Sequence, residues 1–238
     1  MKISSLIIYF LLVLIPIAYA EEPLRIVQLE NSFSQMITIE ILKAVYKRLD
    51  IPITIVIMPS KRALTESQLG RIDGEAHRIF EIGEVYPTLI RVPTPINYIE
   101  PTVFSKNKEI TITGIESIKG YRLGVQRGVL YAQLITEEME NSVQANTLMQ
   151  LIKLLDIGRI DMAIMDKING LWVMKILGIK SIYPLSPSLN RVYAYHYLHE
   201  KNHKLVSKVD QVLQEMKANG ELDRIRTDSI KKILGEDF

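Results

Sequence analysis

Apolar positions along this chain follow two periods, one typical of buried strands and one typical of helices. Leu24–Leu29 and Ile53–Met58 are short apolar runs, the second rich in β-branched residues, and each predicts a strand. Between them apolar residues recur at helical spacing over residues 36–49, and a second helical pattern runs up to Gly70. This strand–helix–strand–helix order is typical of a parallel sheet with helical crossovers, so we predict an α/β fold.

The motif Gly-Arg-Ile-Asp occurs twice, at residues 70–73 and at residues 158–161. A helical pattern precedes each glycine, which stands where a helix needs a left-handed C-terminal residue. A short apolar run follows each motif and predicts a buried parallel strand. The ninth residue of each copy is charged, Arg78 in the first and Asp166 in the second. We therefore predict two similar lobes facing one cleft, in which Arg78 binds a carboxylate and Asp166 binds an ammonium group.

The first twenty residues predict a cleavable signal peptide. Lys2 precedes an apolar run over residues 3–15, and Ala-Tyr-Ala at 18–20 has the pattern of a cleavage site. The run is shorter than the roughly 20 residues that span a bilayer, although an uncleaved anchor is the alternative. The chain contains no cysteine, which excludes disulfides, thiolate metal sites and a lipid-modified cysteine. We expect an exported periplasmic protein, cleaved after Ala20.

Charge and motif content exclude several functions. The 29 Lys and Arg residues and 27 Asp and Glu residues give a net charge of +2, and both signs are interspersed along the chain. Nucleic-acid binding needs clustered positive charge and therefore has no support. The chain has no Gly-x-Ser-x-Gly motif and no paired catalytic carboxylates, so we expect no enzymatic activity and no cofactor. We expect His196 on a strand, His199 at its end and His203 on a helix, so that they need not converge, and we predict no metal site.

A proline-rich segment over residues 79–101 separates the two halves of the pattern. We place the first crossover at residues 102–107 and a return crossing at residues 191–199. The predicted organisation is a signal peptide (1–20), a discontinuous first lobe (21–103 and 197–238) and a second lobe (104–196).

Several motifs, in order along the whole mature chain, resemble the bacterial extracellular solute-binding proteins of family 3. The shared features are the signal peptide, Gly-x-x-Asp at 70–73, the proline–tyrosine segment at 95–98, Val-Gln-x-Gly at 125–128, Gly-Arg-x-Asp-x-Ala-x-x-Asp at 158–166, and a C-terminal Met-x-x-Asn-Gly-x-Leu-x-x-Ile pattern from 216. The resemblance implies a periplasmic-binding-protein-like fold of type II. Two α/β lobes, joined by two crossover strands, would clamp a small solute.

The resemblance also implies roles for particular residues. Asp166 stands where the family's aspartate takes the ligand's ammonium group, and the turn at Gly128 stands where backbone N–H groups meet the ligand's carboxylate. Two features depart from the family pattern. Val129 replaces the usual Thr or Ser, and the family's Thr-x-x-Arg pattern is absent, which leaves Arg78 as the candidate for carboxylate binding. The expected partners are an inner-membrane ABC-type permease or a membrane sensor, with the receptor itself a monomer; an enzyme on the same fold, such as a periplasmic dehydratase, is the alternative.

Each remaining candidate has a structural alternative. Arg78 could instead pair with a nearby glutamate (Glu75, Glu81 or Glu84), and Asp166 could cap the following helix. Arg62 is a possible second cation of the cleft or a residue of a solvated helix face. Tyr98 and Phe33 could stack on the solute or pack in the core, and Glu30 could reach the cleft from the end of the first strand.

Overall fold

The computed structural model describes residues 22–137, 139 and 142–235, so the predicted signal peptide lies outside the described residues. Two mixed sheets with flanking helices form the two lobes, which confirms the predicted α/β architecture. Among the described residues, no helix combines the length and apolarity that crossing a membrane requires.

The first lobe contains a six-stranded sheet in the order β2-β1-β3-β11-β4, with β5 paired to β11. Its strands are β1 (Leu24–Leu29), β2 (Ile53–Met58), β3 (Gly74–Ile79), β4 (Leu89–Arg91), β5 (Asn97–Ile99) and β11 (Val192–His199). Its helices are α1 (Phe33–Arg48), α2 (Ser60–Gln68), α3 (Ile82–Val85), α7 (His203–Ala218) and α8 (Glu221–Leu234).

The second lobe contains a five-stranded sheet in the order β10-β6-β9-β7-β8. Its strands are β6 (Pro101–Ser105), β7 (Leu123–Gln126), β8 (Ser142–Ala145), β9 (Met162–Asp166) and β10 (Tyr183–Pro184). Its helices are α4 (Leu130–Thr136), α5 (Leu148–Asp156) and α6 (Lys167–Leu177).

Sheet membership shifts the lobe boundaries away from the predicted positions. β6 begins at Pro101 and pairs with β9, so residues 101–103 belong to the second sheet. β11 begins at Val192 and pairs with β3, so residues 192–196 belong to the first sheet. The chain therefore crosses between β5 and β6 and again between β10 and β11. An apolar strand pattern shows that a segment is buried but not which sheet it joins, so the sequence placed both crossings too late.

The repeated motif forms equivalent structures in the two lobes. Gly70 and Gly158 have φ angles of 70° and 73°, the left-handed conformation predicted for a helix end. The strands that follow are parallel to their neighbours, β3 to β1 and β9 to β7, and both are buried along their whole length.

The aspartate of each motif fastens its strand to the neighbouring parallel strand. The Asp73 carboxylate accepts a hydrogen bond from the Arg25 backbone N–H at 2.8 Å, and Asp161 accepts one from Arg122 N–H at 2.9 Å. In return the Asp73 and Asp161 N–H groups donate to the Arg25 and Arg122 carbonyls. Each aspartate thus satisfies a backbone group at a strand start, which explains why the motif recurs.

Helix α6 of the second lobe packs against α1 and α8 of the first. Ile168 joins the apolar core of the first lobe, and the Trp172 ring stacks on Phe33 with centroids 6.0 Å apart. The Asn169 side chain exchanges hydrogen bonds with Ser34, accepting from its N–H at 2.9 Å and donating to its hydroxyl at 3.2 Å. The two lobes are therefore held together by a packed junction as well as by the crossings.

Gly74 provides a test of the close packing of β3 against β11. A Cβ atom there would lie 2.6 Å from the Tyr197 carbonyl oxygen, a backbone atom that cannot rotate away. We expect Gly74→Ala to lower the free energy of unfolding by about 2–3 kcal/mol in urea denaturation, because the two strands must separate. Gly178→Ala is the control, since a Cβ there meets no atom within 4 Å and only the positive φ costs about 1 kcal/mol. Equal losses in the two variants would contradict the close approach.

Candidate functional site

The start of α4 in the second lobe contacts the first lobe beside the carboxyl end of β3. Leu130 and Tyr131, at the start of α4 in the second lobe, pack against the apolar cluster of Ile79 and Ile82 in the first. We call this contact the seam. Ligand sites in open α/β sheets lie outside the carboxyl ends of the strands, so the seam is the candidate site.

Asp166 ends β9 beside the seam and is only 2% exposed. Its backbone N–H donates to the Tyr131 hydroxyl oxygen at 2.9 Å, and its Oδ1 accepts from the Glu100 N–H at 3.1 Å. Its Oδ2 is buried and has no hydrogen-bond partner. Asp166 occupies the N-cap position of α6 but makes no capping hydrogen bond to its first turn. The capping alternative therefore leaves one carboxylate oxygen unsatisfied.

The protonation of Asp166 reflects this environment. Burial raises the pKa of Asp166 to about 6, although the Glu100 N–H, the positive charge of Arg226 and the backbone N–H of Asn169 oppose the shift. Burial also raises the pKa of Tyr131, and the nearby negative charge of Asp166 adds to that increase. Near neutral pH the seam thus holds a carboxylate whose charge is poorly compensated.

Arg226 supplies the positive charge nearest to this carboxylate, although it lies far along the chain on α8. It is 6% exposed, donates to the Asn97 side-chain oxygen at 2.5 Å and lies 3.9 Å from the Tyr98 ring centroid. Asn97 in turn donates to the Ser34 carbonyl and to Thr38. Arg226 is therefore held within a network of the first lobe rather than in an ion pair with Asp166.

Arg78 is engaged by its own lobe. Its Nε and Nη2 contact Glu75 Oε2 at 2.9 and 2.8 Å, and its Nη1 donates to the Ser60 hydroxyl at 2.9 Å. Glu75 is fully buried and also accepts from the Ser67 hydroxyl at 2.8 Å. This is the glutamate-pairing alternative considered from the sequence. Arg78 and Asp166 form no ion pair with each other, and the role of Arg78 in binding a solute carboxylate stays a prediction.

The two aromatic residues predicted for the site, Phe33 and Tyr98, differ in burial and in their contacts. Phe33 has no exposed surface and stacks on Trp172, so it packs the junction between the lobes. Tyr98 is half-buried between strand neighbours and is contacted by two guanidinium groups, those of Arg226 and Arg191.

Four further candidates lie on turns or exposed positions. Arg62 and Glu30 are exposed. Gly128 has a φ of 77° and an open surface, and Val129 packs against the core of the second lobe. The turn at Gly128 leads into α4, which has only seven residues, so the dipole contribution to anion binding there is small.

Sequence reasoning missed Tyr131 and Arg226, and it left the partner of Arg78 open among Glu75, Glu81 and Glu84. Arg226 had a signal, because it lies four residues after Leu222 on the stripe of α8 that is otherwise apolar. A charged residue on a buried helical stripe needs a buried partner. Tyr131 had no comparable signal, because its contact with Asp166 joins two elements of the second lobe that lie 35 residues apart in sequence.

The folded chain is therefore a two-lobed α/β protein of the type II periplasmic-binding-protein class. The sequence profile of the bacterial extracellular solute-binding proteins, family 3, matches residues 37–231, and the chain belongs to that family. It is also 28% identical over 182 residues to an uncharacterized protein of Shewanella oneidensis, covering 71% of this chain and 67% of that protein.

Solved structures share this fold at low sequence identity. A histidine kinase sensor domain with similarity to periplasmic binding proteins matches with a TM-score of 0.75 and 14% identity, covering 90% of this chain and 96% of that one. An ancestral arginine-binding protein bound to glutamine matches with a TM-score of 0.71 and 20% identity, covering 90% and 98%. An amino acid ABC transporter substrate-binding protein from Streptococcus pneumoniae, bound to L-arginine, matches with a TM-score of 0.73 and 16% identity, covering 89% and 96%.

The buried pair of Glu75 and Arg78 predicts a large loss of stability when one partner is removed. Arg78→Ala should lower the free energy of unfolding by about 3–5 kcal/mol, because Glu75 is left buried without a counter-charge. The double variant Glu75→Gln, Arg78→Met should recover most of that loss. The control is Lys43→Ala, which breaks an exposed pair with Glu40 and should cost less than about 1 kcal/mol. A small effect of Arg78→Ala in denaturant titrations would show that the pair is not structural.

The raised pKa of Asp166 predicts a pH-dependent cost. Unfolded, the group titrates near 3.8, and folded it titrates near 6. As pH rises between these values, the unfolded state loses its proton first, so the folded state becomes relatively less stable. A shift of about two pKa units corresponds to roughly 3 kcal/mol above pH 6.

Asp166→Asn removes this cost, so its free energy of unfolding relative to wild type should rise between pH 4 and pH 7. The difference curve is needed because burial lowers the pKa values of His77 and His196 to about 3 and about 4, which acts in the opposite sense. A difference that is flat with pH would show that Asp166 is not perturbed.

Proposed function

We propose that this chain is a periplasmic receptor that binds a small polar solute at the seam, with Asp166 contacting a cationic N–H group of the solute. The observation that supports this most strongly is the buried, unpartnered Oδ2 of Asp166 at the end of β9. Membership in a family of solute-binding proteins supports the same role.

Folding leaves Asp166 Oδ2 buried without a hydrogen-bond donor. A buried acceptor without a partner costs about 1–3 kcal/mol, and more when it is charged. A solute N–H group placed against Oδ2 would remove this cost and form a charge-assisted hydrogen bond. The solute therefore binds more tightly to the state in which the lobes enclose it. Its binding shifts the population of the protein toward that state.

The amine end of the solute has more support than the carboxylate end. The guanidinium of Arg78 already donates to Glu75 and Ser60 through Nε, Nη1 and Nη2. A solute carboxylate could bind Arg78 only by displacing at least one of these partners. We therefore assign Asp166 the main role in recognition and keep Arg78 as a second contact.

We propose that the solute-bound protein interacts with one of two kinds of membrane partner. The matched Streptococcus pneumoniae protein is a transporter's substrate-binding protein, which favours delivery to an ABC-type permease. The matched histidine kinase sensor domain favours a signalling partner in the membrane. Both roles would use the state in which the solute bridges the lobes.

A thermal-shift screen of residues 21–238 against amino acids, amines, organic acids and small peptides tests the receptor role. A solute present at 100 times its dissociation constant should stabilise the protein by about 2.7 kcal/mol. Asp166→Asn should abolish that shift, because the charge that meets the solute is lost.

Asp161→Asn is the matched control, since this aspartate precedes β9 and bonds Arg122. It should lower the melting temperature of the free protein but keep the solute-induced shift. Retention of the full shift in Asp166→Asn would remove Asp166 from the site, and a panel in which no solute shifts the melting temperature would contradict the receptor function.

A further inference from the structure

Among the described residues, two buried side-chain polar atoms lack a hydrogen-bond partner, and both are carboxylate oxygens. One is Asp166 Oδ2 and the other is Glu81 Oε2. Nearly all buried polar groups in folded proteins are hydrogen-bonded, so each exception calls for a physical reason. The two residues come from different lobes, so one solute that contacts both lobes would explain both unpartnered oxygens.

Glu81 lies on the first-lobe side of the seam. It follows the carboxyl end of β3 and directly precedes α3, whose first residue, Ile82, packs in the seam cluster. Tyr131 packs against the same cluster and accepts the Asp166 N–H through its hydroxyl oxygen. Glu81 and Asp166 thus neighbour the same apolar cluster, Glu81 through Ile82 and Asp166 through Tyr131.

The cations of the first lobe near Glu81 are engaged elsewhere. Arg91 lies 3.7 Å from the Phe80 ring centroid and 4.7 Å from that of Tyr195, and it forms no ion pair with Glu81. Arg78 is paired with Glu75. Protein side chains therefore leave Glu81 Oε2 unpaired.

On the Asp166 side, Arg226 is the cation whose charge favours the ionised carboxylate. It donates to Asn97 and stacks on Tyr98, and its charge lowers the pKa of Asp166 only partly against the effect of burial. The seam thus presents two unpaired carboxylate oxygens and positive side chains that already have partners.

We propose that the solute of this receptor is an aliphatic diamine, with one cationic end on Asp166 and the other on Glu81. The inference rests on the proposed receptor function and names the chemical class of its solute. Two ammonium groups satisfy both oxygens through charge-assisted hydrogen bonds. A zwitterion with a single ammonium group satisfies only one of them. Lysine and ornithine carry two ammonium groups, but each also brings a carboxylate into a site of negative charge, which is a like-charge contact.

Matched solutes separate the two classes. Cadaverine is lysine without its carboxylate, and putrescine is ornithine without its carboxylate. Titration calorimetry of residues 21–238 should show each diamine binding at least roughly tenfold more tightly than the corresponding amino acid. Pentylamine, which has a single cationic end, should bind at least roughly tenfold more weakly than cadaverine, because one charge-assisted hydrogen bond is missing.

A pair of variants tests the role of Glu81. Glu81→Gln should reduce cadaverine affinity to that of pentylamine and leave pentylamine affinity unchanged. Glu84→Gln is the matched control three residues further along, on α3, where the side chain is exposed, and it should change neither affinity. The melting temperatures of the free variants show that each one folds.

The outcomes distinguish this inference from the receptor function itself. Lysine or ornithine binding more tightly than its diamine would overturn the diamine assignment and leave the receptor function standing. Cadaverine binding that Glu81→Gln does not weaken would overturn the pairing of Glu81 with Asp166. If no amine and no member of the wider panel binds, the receptor function fails and the diamine assignment fails with it.

Discussion

Burial of uncompensated negative charge where the two lobes meet is the constraint on which the candidate site depends. A carboxylate removed from water needs hydrogen-bond donors, and Asp166 receives one donor on Oδ1 and none on Oδ2. Arg226 is close enough to favour the charged form, yet Asn97 and Tyr98 hold it in the first lobe. The result is a polar site that folding alone leaves incomplete.

The fold brings this incomplete group to a useful position through a repeated arrangement. In each lobe a helix ends in a left-handed glycine, and an aspartate fastens the next strand to its parallel neighbour. Helix α6 then packs into the first lobe through Ile168 and Trp172. The junction thus fixes the start of α6, which Asp166 directly precedes, against the first lobe.

Local features of the chain were predictable from sequence, and long-range pairings were not. The glycine conformations, the two buried parallel strands and the family follow from patterns that span a few residues each. The lobe boundaries were misplaced because apolar strands look alike whichever sheet they join. Glu75 was only one of three possible partners for Arg78, and choosing among them requires knowing that Glu75 is fully buried. The position of Arg226 on the apolar stripe of α8 indicates that its side chain is buried. Its partner Asn97 could not be identified from sequence, because it lies 129 residues away.

The most direct test is a crystal structure of the protein with cadaverine bound. We predict one nitrogen of the diamine within hydrogen-bonding distance of Asp166 Oδ2 and the other within hydrogen-bonding distance of Glu81 Oε2, with the pair of Glu75 and Arg78 intact. A diamine bound away from the seam, or Asp166 Oδ2 and Glu81 Oε2 both satisfied by protein groups in the liganded crystal, would contradict the assignment of the seam as a cation site.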